Sequence, residues 1–130
     1  MVLPCFHQIL YNLLRLHRER APFSADHFPF LEPPQIAPFL FSDVVDSGAF
    51  AQLTCAVSHG DMPITITWSL KGQELNSGPS ITTTMLGQRA SILIISSVDY
   101  SHVGEYTCRA TNMAGSVTYA AKLNVNGNIL

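Results

Sequence analysis

The chain has 130 residues, a length that suits one domain with a single core and a short appendage. Charged residues make up only 12% and the formal net charge is -2, with no basic run or stripe, which excludes the electrostatic footprint of a nucleic-acid binder. So small a charge also gives little long-range steering, and recognition has to rest on shape and apolar contact.

Residues 1–32 differ from everything after them. From Phe6 to His17 the apolar residues Phe6, Ile9, Leu10, Leu13 and Leu14 recur at helical spacing, followed by Arg15, Arg18 and Arg20. This predicts a short amphipathic helix, which needs a surface to lie on. A signal peptide is one alternative, although His7, Gln8 and Asn12 interrupt the apolar run and the basic residues follow it. A disordered or unspecified leader, such as a translated non-coding stretch, is another. The run falls well short of the roughly 20 uncharged apolar residues of a membrane span. Pro22, Pro29, Pro33 and Pro34 then lead into the next segment.

From Pro33 the helical period disappears. Short runs rich in β-branched and aromatic residues follow at 35–41, 49–57, 64–70, 81–85, 90–95, 104–112 and 117–125. Between them stand turn signals such as Ser47-Gly48, Lys71-Gly72, Leu86-Gly87 and Ala114-Gly115. Pro38 falls inside the first run, which only an edge strand or a bulge tolerates. The pattern predicts an all-β fold over residues 33–126, a two-sheet Greek-key sandwich, with 127–130 as a tail.

The cysteines are Cys5, Cys55 and Cys108. They form no CxxC pair and no zinc-like set with His7, His17, His27, His59 or His102, so no metal and no cofactor is expected. Cys55 and Cys108 sit in strand-like segments and are candidates for one bridge, which leaves Cys5 free or available to another chain. Leu53 and Cys55 share one strand face, as do Ile66 and Trp68, and Leu93 and Ile95. Trp68 offers a flat surface to pack on the bridge. Tyr106, two residues before Cys108, can turn its hydroxyl back onto upstream backbone, and Gly104 permits the close approach there.

This order of Cys55, Trp68, Tyr106 and Cys108 resembles the immunoglobulin superfamily, and Cys108-Arg109-Ala110-Thr111-Asn112-Met113-Ala114-Gly115 resembles its intermediate (I) set. Pro34-Gln35-Ile36-Ala37-Pro38-Phe39, Gly60-Asp61-Met62-Pro63-Ile64 and His102 are similar to the variable domains of arthropod Down syndrome cell adhesion molecules (Dscam), including shortened chelicerate forms. His102 stands where most I-set domains carry an aspartate that pairs with an arginine, so Arg89 is expected to lack that ion pair. The resemblance covers about three-quarters of the chain and leaves residues 1–32 unmatched.

No catalytic motif stands out. Asp99, Ser101 and His102 are the residue types of a hydrolase triad, but adjacent in one turn they read as polar loop residues, and no enzyme is expected. No N-x-S/T sequon occurs either. One feature does suggest a partner. In Ser91-Ile92-Leu93-Ile94-Ile95, if Leu93 and Ile95 face the core, Ile92 and Ile94 point outward. The same face would carry Gln52, Thr54, Thr82 and Thr84. An apolar pair framed by small polar groups suits a protein contact, while the plain alternative is two surface isoleucines kept for strand propensity.

The resemblance implies a homophilic role for that sheet, conventionally A-B-E-D, in an antiparallel contact with the identical domain of another molecule. It implies the extracellular part of a plasma-membrane adhesion receptor, with cell–cell adhesion, neuronal self-recognition and axon guidance as the setting. A soluble immune-recognition module and a structural I-set repeat of muscle cytoskeleton are the alternatives.

Overall fold

The computed structural model describes residues 31–42 and 44–126, and its regular structure there is strand apart from one short 3₁₀ turn. In chain order the strands are β1 (Gln35–Ile36), β2 (Val45–Asp46), β3 (Ala51–His59), β4 (Thr65–Leu70), β5 (Gln73–Leu75), β6 (Ile81–Leu86), β7 (Ala90–Ile95), β8 (Gly104–Asn112), β9 (Gly115–Leu123) and β10 (Val125–Asn126). One sheet has the order β1-β3-β7-β6 and the other β5-β4-β8-β9, with β10 paired in parallel to β2. This is the all-β sandwich expected from the alternation.

Strands β3, β7 and β8 bury alternate residues, because successive side chains leave opposite faces of the pleat. From β3 come Ala51, Leu53, Cys55 and Val57, from β7 Ser91, Leu93 and Ile95, and from β8 Tyr106, Cys108 and Ala110. Cys55 and Cys108 are bonded across the two sheets, with Cα atoms 6.4 Å apart. Trp68 lies opposite Cys108 in the β4–β8 register and is buried. Its indole N–H donates to Ser91 Oγ at 2.9 Å, so the one polar atom of the ring is satisfied inside the core.

Three elements differ from the sequence expectation. The first run, 35–41, pairs only over Gln35–Ile36. After the Ala37 N–H bonds the Ala56 carbonyl, Pro38 has no N–H to continue the ladder. The chain then leaves that sheet, and Val45 and Asp46 pair in parallel with β10 in a separate two-stranded ladder. On the way it drops Phe39 and Phe41 into the core. The Phe39 ring lies 4.9 Å from Tyr119 and 5.7 Å from Trp68, and Phe41 lies 5.5 Å from Tyr106. Second, polar Gln73–Leu75 forms a strand because Lys71 (φ 53°) and Gly72 (φ 83°) make a tight two-residue hairpin turn from β4. Third, the last run begins at Gly115 rather than 117, since Asn112 and Gly115 are directly paired. Asn112 Oδ1 accepts the Ala114 and Gly115 N–H groups and so shapes that turn. The helix predicted over 6–17, and Cys5, lie outside the described residues.

The lower corner is held by Tyr106, whose hydroxyl donates to the His102 carbonyl at 2.7 Å. Burial first, and then the Asp99 carboxylate, push the Tyr106 phenol up to about 12. Gly104 has φ +147°, and a Cβ there would stand 3.0 Å from both Leu70 Cδ1 and Lys71 Cε. The positive φ strains any other residue there, and the two flexible side chains would also have to give slightly.

Candidate protein-binding face

The register of β3, β7 and β6 places the six predicted residues in two cross-strand rows. Gln52 pairs with Ile94 and Ile94 with Thr82, while Thr54 pairs with Ile92 and Ile92 with Thr84. Cross-strand neighbours of this kind have Cβ atoms roughly 4.5–5.5 Å apart, so each row is a contiguous strip. Leu93 and Ile95, on the opposite side of β7, are fully buried, which turns Ile92 and Ile94 outward. Both isoleucines are half-buried by their flanks, while Gln52, Thr82 and Thr84 are exposed.

A third row extends the same face, with Ala56 paired to Ala90 and Ala90 to Leu86, the last 49% exposed. Phe50, one residue ahead of β3, is 58% exposed. Carrying the alternation one pair further in each direction would have found both. None of these residues is charged, so the face is defined by shape, methyl groups and hydroxyls. Arg89, in the β6–β7 turn, keeps its guanidinium off the rows by donating to the Val57 and Gly60 carbonyls at 3.3 and 2.8 Å.

His102 lies at the opposite end of the sandwich from Arg89 and does not meet it. Asp99 and Ser101 are exposed, as polar turn residues should be, but that expectation is corrected for His102, which is only 4% exposed. Its Nδ1 accepts the Asp99 N–H at 2.9 Å, and Asp99 Oδ1 accepts the Ser101 N–H and hydroxyl, a reciprocal cap on the 3₁₀ turn Tyr100–His102. The Ser101 hydroxyl and N–H hold the Asp99 carboxyl below its ordinary value.

The other ring nitrogen, Nε2, is 2.9 Å from Ser80 Oγ. Ser80, His102 and Asp99 thus approach the spacing of a hydrolase triad, but with the proton on the wrong nitrogen. Because Nδ1 accepts from backbone, the proton sits on Nε2 and is donated to Ser80, so the ring has no lone pair there to take the serine proton. The cluster is a structural corner. Among the described residues, no three His, Cys, Asp or Glu side chains converge as metal ligands would.

Residues 34–125 match the immunoglobulin I-set domain family. The chain is 42% identical over 96 residues to the cell adhesion molecule Dscam1 of Drosophila melanogaster, an alignment covering 72% of this chain and 5% of that protein. It is 41% identical over 99 residues to the cell adhesion molecule DSCAML1 of Homo sapiens, covering 76% of this chain and 5% of that one. The chain therefore spans only a small part of the length of these relatives. The crystal structure of the Dscam1 Ig7 domain, isoform 5, superposes with a TM-score of 0.71 at 42% identity, covering 72% of this chain and 97% of that domain. A titin I-band fragment, I67–I69, gives a TM-score of 0.66 at 29% identity, covering 72% and 32% of the two chains.

Proposed function

The chain belongs to the immunoglobulin I-set family, and from that premise we propose that residues 33–126 are an extracellular recognition module of a Dscam-like adhesion receptor. In this reading the module binds a second copy of itself through the β1-β3-β7-β6 face. The observation that carries it is the pair of uncharged rows, Gln52–Ile94–Thr82 and Thr54–Ile92–Thr84, with two outward-facing, half-buried isoleucines on an inner strand.

A contact between identical copies is isologous about a two-fold axis, so each residue on the axis meets its own equivalent. Like charges would repel there, whereas isoleucines bury one another and Thr or Gln both donates and accepts hydrogen bonds. Two antiparallel copies satisfy that symmetry with the same patch on each side. The likeness to cell adhesion molecules at about 40% identity supports this role. The bonded Cys55–Cys108 pair favours an oxidising, extracellular setting over the cytoskeletal alternative, because such bridges are rare in reducing compartments. Among the described residues no helix is long and apolar enough to cross a membrane, and membrane attachment falls in this reading to other parts of a longer receptor.

The test is sedimentation of the chain carrying Cys5→Ser, which removes covalent pairing, with and without Ile94→Asp. Losing about 1.5 kcal/mol of apolar burial per copy, counted twice by symmetry, weakens the dimer by at least about 100-fold. The parent is expected to dimerise weakly and Ile94→Asp to be monomeric with an unchanged circular dichroism spectrum. A parent that stays strictly monomeric at high concentration refutes the homophilic reading.

A further inference from the structure

Strand β6, Ile81-Thr82-Thr83-Thr84-Met85-Leu86, is the outer strand of its sheet. It is six residues long, uncharged, free of proline and glycine, and rich in β-branched side chains. That is the composition of a segment that recruits another strand, and an edge offers the unpaired main-chain groups for it. The usual protections, an inward charge, a proline or a bulge, are absent from the strand itself.

The chain folds a different protection over it. Alternate residues of an edge strand turn their main-chain groups away from the sheet, here Ile81, Thr83 and Met85. The Ser77 hydroxyl accepts the Thr83 N–H at 2.9 Å and donates to the Thr83 carbonyl at 2.8 Å. One side chain thus occupies the donor and the acceptor that a neighbouring strand would use. Beside it the Gly78 N–H donates to the Ile81 carbonyl at 2.8 Å. Met85, next in the alternation, has no such cap among the described residues, and a single open residue gives an incoming strand no continuous ladder.

We propose that Ser77 is an edge guard, closing β6 to strand addition by a second copy of this chain and leaving that sheet to meet partners by its face alone. The guard is a property of the edge and holds whether or not the face dimerises.

The experiment therefore uses the chain carrying Cys5→Ser and Ile94→Asp, so that face contact and disulfide pairing are both disabled. Into it go Ser77→Ala, which removes the hydroxyl, and Ser77→Thr, which keeps it. Ser77→Gly repeats the hydroxyl-free arm should the alanine variant fold poorly, and the near-ultraviolet signal of Trp68 verifies the fold in each. Two readouts are taken, amide hydrogen exchange at Thr83 and sedimentation over a concentration series. Loss of one net hydrogen bond is expected to speed Thr83 exchange by about tenfold. The hydroxyl-free variant is expected to self-associate reversibly at a concentration at least about tenfold lower than Ser77→Thr, with new intermolecular strand signal in the infrared. A folded hydroxyl-free variant as monomeric as Ser77→Thr overturns the guard role, whatever the Thr83 amide does. Association of both variants alike overturns it too, because the hydroxyl would then be irrelevant.

Discussion

Removing the Tyr106 hydroxyl tests the corner that joins the 3₁₀ turn to β8. The side chain is fully buried and donates to the His102 carbonyl at 2.7 Å, so Tyr106→Phe strips a partner from a buried acceptor without changing the shape of the ring. An acceptor left in that state costs about 2 kcal/mol. For a domain of this size that lowers the midpoint of thermal unfolding by about 10 °C. The pH dependence supplies a second, independent magnitude. The phenol is raised in the folded protein from 10.0 to about 12, so the folded state holds its proton more tightly than the unfolded chain does. The stabilisation is complete below pH 10 and is lost as pH rises toward 12, because there unfolding releases a proton. By pH 11 the loss amounts to about 1.4 kcal/mol. The phenylalanine variant has no proton to lose, so the stability gap between the two proteins should narrow by that amount between pH 9 and pH 11. Urea unfolding followed by Trp68 fluorescence measures both stabilities at each pH. A gap that stays constant across that range refutes the attribution of the shift to burial of this phenol.

Two further outcomes follow from the core. Ser91→Ala leaves the indole N–H of Trp68 buried without its acceptor and frees the Thr84 carbonyl from the serine hydroxyl. It should cost about 1–3 kcal/mol in denaturant unfolding, whereas Ser91→Thr, which keeps a hydroxyl, should cost less. Replacing Cys55 and Cys108 together by alanine releases a loop with a sequence separation of 53, worth about 4 kcal/mol in the chain-entropy treatment. Calorimetry of the double variant checks that figure, and an unchanged unfolding temperature would show that the bridge constrains nothing.

Much of the candidate face was legible in the chain because a strand's side chains alternate with a period of two. Once Leu93 and Ile95 were placed inward, Ile92 and Ile94 had no choice but to face out, and the observed rows with Gln52, Thr54, Thr82 and Thr84 follow from the same parity. The extension of that face by Leu86, Ala56 and Ala90 was available from the same rule. Gln73–Leu75 was not, since a three-residue polar segment has no period to detect; the positive φ values at Lys71 and Gly72 fold it back. The run at 35–41 reads as one strand because its composition is β-like, but Pro38 has no donor to give, and the chain leaves the sheet there.

The class of fold, the face each strand residue takes, and the Cys55, Trp68, Tyr106 and Cys108 set can be read from the residues alone, because local pleat geometry and residue chemistry suffice for these. Which residues meet at long range is settled only once the chain is folded. His102 is paired with Ser80 and with its own turn, Arg89 is committed to carbonyls at the far end, Phe39 and Phe41 close the core from a segment without regular pairing, and Ser77 reaches across to Thr83. Such contacts depend on how loops return over strands. That path is set by the packing of the whole sandwich and leaves no periodic trace in the residues that make it.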